Sequence, residues 1–195
     1  MSKSKQIVQS KPFERVMVFI DGGHLRAVCK KVFGHDNINF EKLSKFIVDR
    51  FNSLLNNPFQ ANLIRIYYYD AIVSKKSPEY AKQEGYFESI LQELGYTVRL
   101  GELVKSSKKK HRQKGVDILM AIDVITKAYQ NQYETAIFML GDRDFVPLIN
   151  AVKDTGKKTL YLGNPSYYCS NQLLRVFDIR HYLTDDIIKS WSKKS

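Results

Sequence analysis

The sequence predicts an α/β fold, a three-layer α/β/α sandwich around a mainly parallel sheet. Short apolar runs alternate with segments of helical periodicity along the chain, which is typical of βαβ units. The predicted strands are nearly continuous in apolar residues, as expected for parallel strands with helices on both faces. A length of 195 residues with a hydrophobic share of 44% fits one such domain with a sizeable core.

The first half of the chain predicts three strands and three helices. Asn39 is a typical N-cap for the second helix, and Ser77-Pro78 begins the third with proline in its first turn. Gly95 follows that helix as a typical C-terminal cap. In chain order these elements are strand 16–20, helix 25–32, helix 40–55, strand 63–69, helix 77–94 and strand 97–104.

The second half opens with a segment that has no apolar residue, 105–114 (KSSKKKHRQK), which predicts a loop. Gly115 precedes a helix expected over 116–129, with the apolar residues Val116, Ile118, Leu119, Ile122 and Ile125 available for burial. The remaining elements are strand 135–140, a helix ending near 154 before Gly156, strand 159–162, helix 171–176 and strand 179–183.

The charge balance predicts a polyanionic partner. The formal net charge is +11 and the pI is near 9.5, which favours nucleic acid first and an acidic membrane surface second. The alternative is a solvated basic surface with no such partner. Cys29 and Cys169 are far apart and match neither a zinc site nor a disulfide framework, so a reducing, cytoplasmic location is expected.

Three parts of the chain are expected. Residues 1–14 are polar and lack the apolar core of a signal peptide, which indicates a flexible basic arm. Residues 15–184 form the domain, and 185–195 a C-terminal tail. No apolar run approaches the ~18 residues that a membrane span requires, so no membrane partner is expected. The sequence leaves open whether the protein forms a homo-oligomer.

Acidic residues follow three predicted strands. Asp21, Asp70 and Asp142 each come just past a strand end, and parallel strands place such positions at the edge of the sheet where ligands bind. Gathering carboxylates costs electrostatic energy unless a cation or hydrogen-bond donors compensate. The edge therefore predicts an acidic, metal-binding site. Alternatively, Asp21 caps the following helix, and Asp70 is a natural loop residue.

Two further acids lie close to this edge. Pro147 fixes a helix start near Asp144, so Asp144 could act as an N-cap as well as a ligand, and Asp142 is the stronger ligand candidate. Asp117 is in the first helical turn after KG, where the helix dipole alone would favour it. Asp123 lies about 120° around that helix from Asp117, which indicates a supporting or structural position.

Basic residues and one histidine complete the candidate set. His24 follows the first acid and could contact a substrate, although a histidine near a site is often structural. The basic segment precedes Asp117 and could follow a nucleic-acid backbone, or it could be a solvated loop. The candidates for RNA contacts are Lys108, Lys109, Lys110, Arg112, Lys114 and Arg143.

A set of carboxylates suits Mg²⁺ or Mn²⁺ better than zinc, which prefers histidine and cysteine. Phosphate esters are the natural substrates of such a site. The sequence lacks the P-loop and dinucleotide-binding fingerprints, and no serine or cysteine nucleophile elbow follows a strand. Asp21 also has no acid two positions later, which argues against a haloacid-dehalogenase-type phosphatase.

Three motifs resemble the NYN domain, a PIN-like group of metal-dependent ribonucleases, and within it the LabA-like proteins. They are FIDGGHL, KGVDILMAIDVITKAY and FMLGDRDFVPLINAVKDTGKKTLYLG, with a similar ending in CSNQLLRVFDIRHYL. The resemblance spans 16–183. It implies a PIN-like sandwich and an acidic Mg²⁺ or Mn²⁺ pocket that cleaves RNA. Carried over to this chain, the catalytic and metal-binding acids are Asp21, Asp117, Asp142 and Asp144.

The resemblance has one departure and one further match. Many family members have asparagine where this chain has Gly23 or His24, and Asp123 matches a frequent family acid. The expected function is a metal-dependent endoribonuclease that hydrolyses RNA phosphodiester bonds. The alternatives are a non-catalytic RNA-binding or regulatory module on the same scaffold, or a DNA-directed nuclease.

Overall fold

The computed structural model describes residues 13–54, 60–93, 95–107 and 110–193. Within these residues it contains seven strands and seven α-helices. In chain order they are β1 (Phe13–Asp21), α1 (Gly22–Phe33), α2 (Phe40–Leu54), β2 (Gln60–Val73), α3 (Tyr80–Leu91), β3 (Tyr96–Ser107), β4 (Lys110–Lys114), α4 (Val116–Tyr129), β5 (Thr135–Met139), a 3₁₀ turn (Arg143–Phe145), α5 (Val146–Asp154), β6 (Lys158–Gly163), α6 (Asn171–Val176), β7 (Ile179–Tyr182) and α7 (Asp185–Ser190).

The seven strands form one sheet in the order β4-β3-β2-β1-β5-β6-β7. All neighbouring pairs are parallel except β3 and β4. The first strand therefore lies in the middle of the sheet, between β2 and β5. The predicted mainly parallel α/β sandwich is confirmed.

Two hydrophobic cores lie on opposite faces of the sheet. Because side chains alternate along a strand, Val18 and Ile20 of β1 point into one core and Met17 and Phe19 into the other. Helices α1, α2, α3 and α7 contribute to the first core, and α4, α5 and α6 to the second. The sheet is thus the middle layer of three, which explains why its central strands are apolar on both faces.

Helix α4 buries a different stripe from the predicted one. Its buried residues include Val116, Met120 and Val124, spaced four apart, whereas Ile118 and Ile122 are 65% and 59% exposed. The helix is apolar around much of its circumference, so periodicity alone does not select the face that meets the sheet. The expected burial of Ile118 and Ile122 was wrong.

The basic segment expected to be a loop lies largely in a hairpin. Strand β3 continues to Ser107, and β4 pairs with it antiparallel at the edge of the sheet. Backbone hydrogen bonds can form this ladder whatever the side chains are, and a charged edge strand also discourages further strand pairing. Lys108 and Lys109 lie outside the described residues.

The ends of the domain also differ from the prediction. An arm was predicted at 1–14. Residues 1–12 lie outside the described residues, and β1 begins at Phe13. The tail predicted at 185–195 is packed structure over its described part, because α7 (Asp185–Ser190) and Trp191 contribute to the first core. Trp191 is only 1% exposed. Among the described residues, no helix is long and apolar enough to cross a membrane.

Candidate active site

The pairing of β1 with β5 brings two predicted acids to one edge of the sheet. Ile20 lies opposite Met139 in this parallel pair, so Asp21 and Asp142 leave the sheet at the carboxyl ends of adjacent strands. A third acid, Asp117, begins helix α4. The chain reaches it through β4, whose last residue, Lys114, lies opposite Glu102 of β3.

Asp21 caps the helix that follows it. The backbone N–H of His24 donates to Asp21 Oδ1 at 3.0 Å, so the carboxylate satisfies a free amide of the first turn. The capping alternative from the sequence is therefore confirmed, and the same side chain lies at the edge of the sheet where the site was expected. The next residue, Gly22, allows the start of α1 to lie close to Asp70 of β2, since a Cβ on Gly22 would be 2.6 Å from Asp70 Oδ2.

The capping role predicted for Asp144 belongs to Asp142. Asp142 Oδ1 accepts the backbone N–H of Asp144 at 3.0 Å and begins the 3₁₀ turn before α5. This turn shifts the start of the helix, which explains why the position of Pro147 placed the cap two residues too late. Asp144 is itself 79% exposed and lies 3.9 Å from Arg143.

The acids interact electrostatically. Partial burial raises the pKa of Asp117, and the negative charges of Asp21, Asp142 and Asp144 raise it further. Burial likewise raises the pKa of Asp21. The backbone hydrogen bonds from His24 and Gly23 lower this pKa, and the negative charge of Asp142 raises it, so the pKa is raised overall. The fold thus brings Asp21, Asp142 and Asp144 within electrostatic reach of Asp117, and this concentrates negative charge at one edge.

An open cavity of about 770 Å³ lies between these acids and a loop from the other side of the edge. Asp21 and Asp142 line one side of it. The residues between β6 and α6, which we name the 164–170 loop, line the other side. The loop is joined to the acidic side by the backbone N–H of Ser170, which donates to the carbonyl of Gly141 at 2.9 Å.

Asp70 lies inside a strand rather than after one, because β2 continues to Val73. It is fully buried and forms an ion pair with Arg26 of α1. Arg26 Nη2 donates to Asp70 Oδ1 at 3.0 Å, and the hydroxyl of Tyr68 donates to Oδ2 at 3.2 Å. Both carboxylate oxygens of Asp70 are therefore already hydrogen-bonded, and its ion pair with Arg26 holds α1 against β2.

Asp123 has its own set of partners. Lys127 Nζ donates to it at 2.8 Å, Arg99 Nε at 3.2 Å and the hydroxyl of Tyr69 at 3.1 Å. Although burial works to raise its pKa, these hydrogen bonds and the charge of Lys127 lower the pKa overall. The structure therefore places Asp123 in an ion-pair network between α4 and the sheet, as its position around the helix indicated.

His24 packs against the loop that carries Asp142. Its imidazole lies so close to Gly141 that a Cβ there would be 2.6 Å from Nδ1. Burial lowers the pKa of His24 to about 4, so the ring is neutral near pH 7. A neutral ring beside the cavity can position the backbone or donate one hydrogen bond, but it does not offset the charge of the acids.

The basic candidates lie on the hairpin and beside the acids. Lys114 is exposed and lines a second cavity of about 510 Å³ together with Asp117. Arg143 is 70% exposed and lines the first cavity. Lys110 and Arg112 lie on the edge strand β4.

Sequence reasoning missed Gln113. It lines the main cavity together with Asp21, and its Nε2 donates to Asp70 Oδ1 at 3.4 Å. A Cβ on Gly23 would lie 2.9 Å from the same nitrogen. A glutamine within a run of lysines gave no signal, because only the hairpin pairing turns it toward the acids.

The chemistry of the four acids fits a hard divalent cation, since all offer carboxylate oxygens, and the charges of the other three add to the rise that burial gives the pKa of Asp117. Their positions do not yet form a coordination shell. Among the described residues, no three histidine, cysteine, aspartate or glutamate side chains are grouped closely enough to hold a metal ion.

The fold and the acidic edge together define a mainly parallel α/β domain with its site at the carboxyl ends of central strands. The family model for the NYN domain matches residues 15–183. The chain therefore belongs to the NYN domain family, a PIN-like nuclease family whose members usually use divalent metal ions and act on RNA.

A solved structure of a protein of unknown function from Vibrio parahaemolyticus is similar to this chain, with a TM-score of 0.63 and 18% sequence identity. The alignment covers 92% of this chain and 98% of that one. At this identity the likeness shows the fold alone. No curated protein matches the chain.

Proposed function

We propose that this protein is a metal-dependent endoribonuclease whose site is built from Asp21, Asp117, Asp142 and Asp144. The observation that carries the proposal is the placement of Asp21 and Asp142 at the carboxyl ends of adjacent parallel strands, where they line one open cavity. The negative charges of the other three acids add to the raised pKa of Asp117, and a bound cation would offset that repulsion. Membership of a nuclease family supports the same chemistry.

The four carboxylates would hold Mg²⁺ or Mn²⁺, which when bound supplies charge stabilisation at the phosphodiester and a more acidic water. Asp21 and Asp142 are oriented by their capping hydrogen bonds. We assign proton acceptance to Asp117, because its side chain is exposed at the start of α4, whereas Asp21 already accepts the N–H of His24. A water oxygen would bond to phosphorus as its proton passes to Asp117, and the bond to the ribose oxygen would break, with that oxygen taking a proton from solvent.

The basic residues would bind the RNA backbone on both sides of the acids. Lys114 shares a cavity with Asp117, and Arg143 shares the main cavity with Asp21. The hairpin that carries Lys110 and Arg112 extends from the same region. Cations placed next to carboxylates allow a polyanion to approach a site that would otherwise repel it.

The test compares cleavage of end-labelled single-stranded and structured RNA, and of DNA, in Mn²⁺, Mg²⁺ or EDTA. Wild-type protein should cut RNA with either metal and not in EDTA. Asp142→Asn should be slower by at least about 10- to 100-fold, the loss typical of residues that only support a metal ligand. Asp123→Asn is the matched control and should stay close to wild type. Equal cleavage by Asp142→Asn would refute the assignment.

A second measurement follows metal binding without cleavage. Mn²⁺ that binds only the folded protein should stabilise it by about 2.7 kcal/mol at a concentration of 100 times its dissociation constant. This stabilisation should be lost in Asp142→Asn and kept in Asp123→Asn. Cleavage of DNA in place of RNA would favour the DNA-directed nuclease.

The alternative function is an RNA-binding module without activity. The lack of a three-ligand group among the described residues favours it. Tight binding of RNA, with neither cleavage nor stabilisation by Mn²⁺, would establish this alternative.

A further inference from the structure

An exposed aromatic ring lies on the wall of the acidic cavity. Tyr168 is 64% exposed and lines the cavity together with Asp21 and Asp142. The preceding residue is oriented differently, because Tyr167 packs against the first core and its hydroxyl donates to Asp185 at 2.9 Å. The 164–170 loop therefore buries one tyrosine for stability and presents the next one at the cavity.

The backbone at Tyr168 is held in an unfavourable conformation. Its φ is +52°, and Asn131 is the other non-glycine residue with a positive φ in the described part of the chain. This left-handed region suits glycine and asparagine and is costly for a bulky side chain. Packing of the exposed ring does not compensate for this cost, so core stability alone does not explain a tyrosine here.

Hydrogen bonds fix the loop on both sides of Tyr168. On one side, Asn164 Oδ1 accepts the backbone N–H of Ser166 at 3.0 Å, and Asn164 Nδ2 donates to Asp185 at 3.0 Å. On the other, the N–H of Ser170 donates to the carbonyl of Gly141 at 2.9 Å. A ring held by such a loop loses little further freedom when a ligand packs against it.

We propose that Tyr168 is a stacking platform for one nucleobase of single-stranded RNA, next to the phosphate bound at the acids. The proposal rests on the nuclease function proposed above and adds how the strand is positioned. An aromatic ring beside a phosphate-binding site holds a nucleotide at both its base and its backbone. Stacking on tyrosine accepts any base, so the platform would position the strand without reading its sequence.

The test measures the affinity of a short oligouridylate carrying one 2-aminopurine, whose fluorescence falls on stacking. All proteins carry Asp142→Asn to suppress cleavage. Tyr168→Asn should weaken binding by about 5- to 100-fold and abolish the quenching, and Tyr168→Phe should retain both. Asparagine tolerates the left-handed backbone, so this variant should unfold at or above the temperature of its parent. Tyr129→Ala removes a similarly exposed tyrosine from the far end of α4 and should not change binding.

An abasic nucleotide, moved along the oligonucleotide, identifies the stacked position. At one position the missing base should weaken binding to the protein with Tyr168 and leave binding to Tyr168→Asn unchanged. Equal binding by Tyr168 and Tyr168→Asn with every probe would overturn the platform, even if the wild-type protein cleaves RNA. Quenching without cleavage by the wild type would support the platform and refute the nuclease. If neither the Asp142→Asn proteins nor the wild type with Mn²⁺ bound RNA, both proposals would be overturned.

Discussion

Gly141, which precedes Asp142, lies against His24 of α1 and Tyr168 of the 164–170 loop. The variant Gly141→Ala therefore tests how closely these three segments pack. A Cβ at this position would lie 2.5 Å from His24 Cε1 and closer still to the carbonyl oxygen of Tyr168. Carbon atoms in favourable contact are about 3.5–4.0 Å apart, so both the His24 side chain and the 164–170 loop must move away from Gly141 by about 1 Å. Overpacking of this kind costs about 1–3 kcal/mol, and backbone in the contact favours the upper end.

For a chain of this length, a loss of about 3 kcal/mol lowers the unfolding temperature by about 6–12 °C. The matched control is Gly85→Ala in α3, where a Cβ meets nothing within 4 Å. Alanine is favoured in a helix, so this variant should gain about 1 kcal/mol. Circular dichroism would follow thermal unfolding of both variants. An unfolding temperature for Gly141→Ala equal to wild type would refute the reasoning.

Three further predictions concern charge. In EDTA, Asp21→Asn should keep the cap to His24 and stabilise the protein at pH 7. In the folded protein the pKa of Asp21 is raised above its usual 3.8. The favourable contribution of Asp21 to the free energy of unfolding is therefore fully present below pH 3.8 and is lost as the pH rises. At pH 7 the charged carboxylate destabilises the fold, and asparagine removes that charge. Asp123→Asn should destabilise the protein at pH 7, because the pKa of Asp123 is lowered in the folded state. Urea unfolding at pH 4 and 7 measures the free energy of unfolding of both variants. A change of the same sign in the two variants at pH 7 would contradict the prediction. Arg26→Met should cost about 3–5 kcal/mol, because it leaves the buried carboxylate of Asp70 unpaired, and adding Asp70→Asn should recover part of that loss in the same assay.

Local chemistry allowed much of the fold to be predicted. Asn39 was expected to cap α2, and its Oδ1 accepts the N–H of Lys42 at 2.9 Å. Asp21 and Asp142 were placed at one edge because each follows an apolar run, and the pairing of β1 with β5 brings these ends together. Both inferences need only the strand pattern and the rule that parallel strands end on the same side.

The rest of the site depends on contacts between distant segments. Tyr168 faces the cavity because the 164–170 loop is bonded to Gly141, and no periodicity in PSYYCS separates it from Tyr167. Gln113 reaches the acids only after β4 has paired with β3. The side of α4 that meets the sheet depends in the same way on how β4 positions the start of that helix.

The central position of β1 also sets the order in which the protein can be assembled. Its partner β5 is synthesised more than a hundred residues later, and the bonds between Arg15 and Glu134 join positions 119 residues apart. Non-local strand pairing of this kind is slow to form. A growing chain that has not yet made β5 lacks Asp142 beside Asp21, so the acidic cluster cannot assemble on a partial chain. The proposed nuclease activity would then begin only after most of the domain has folded.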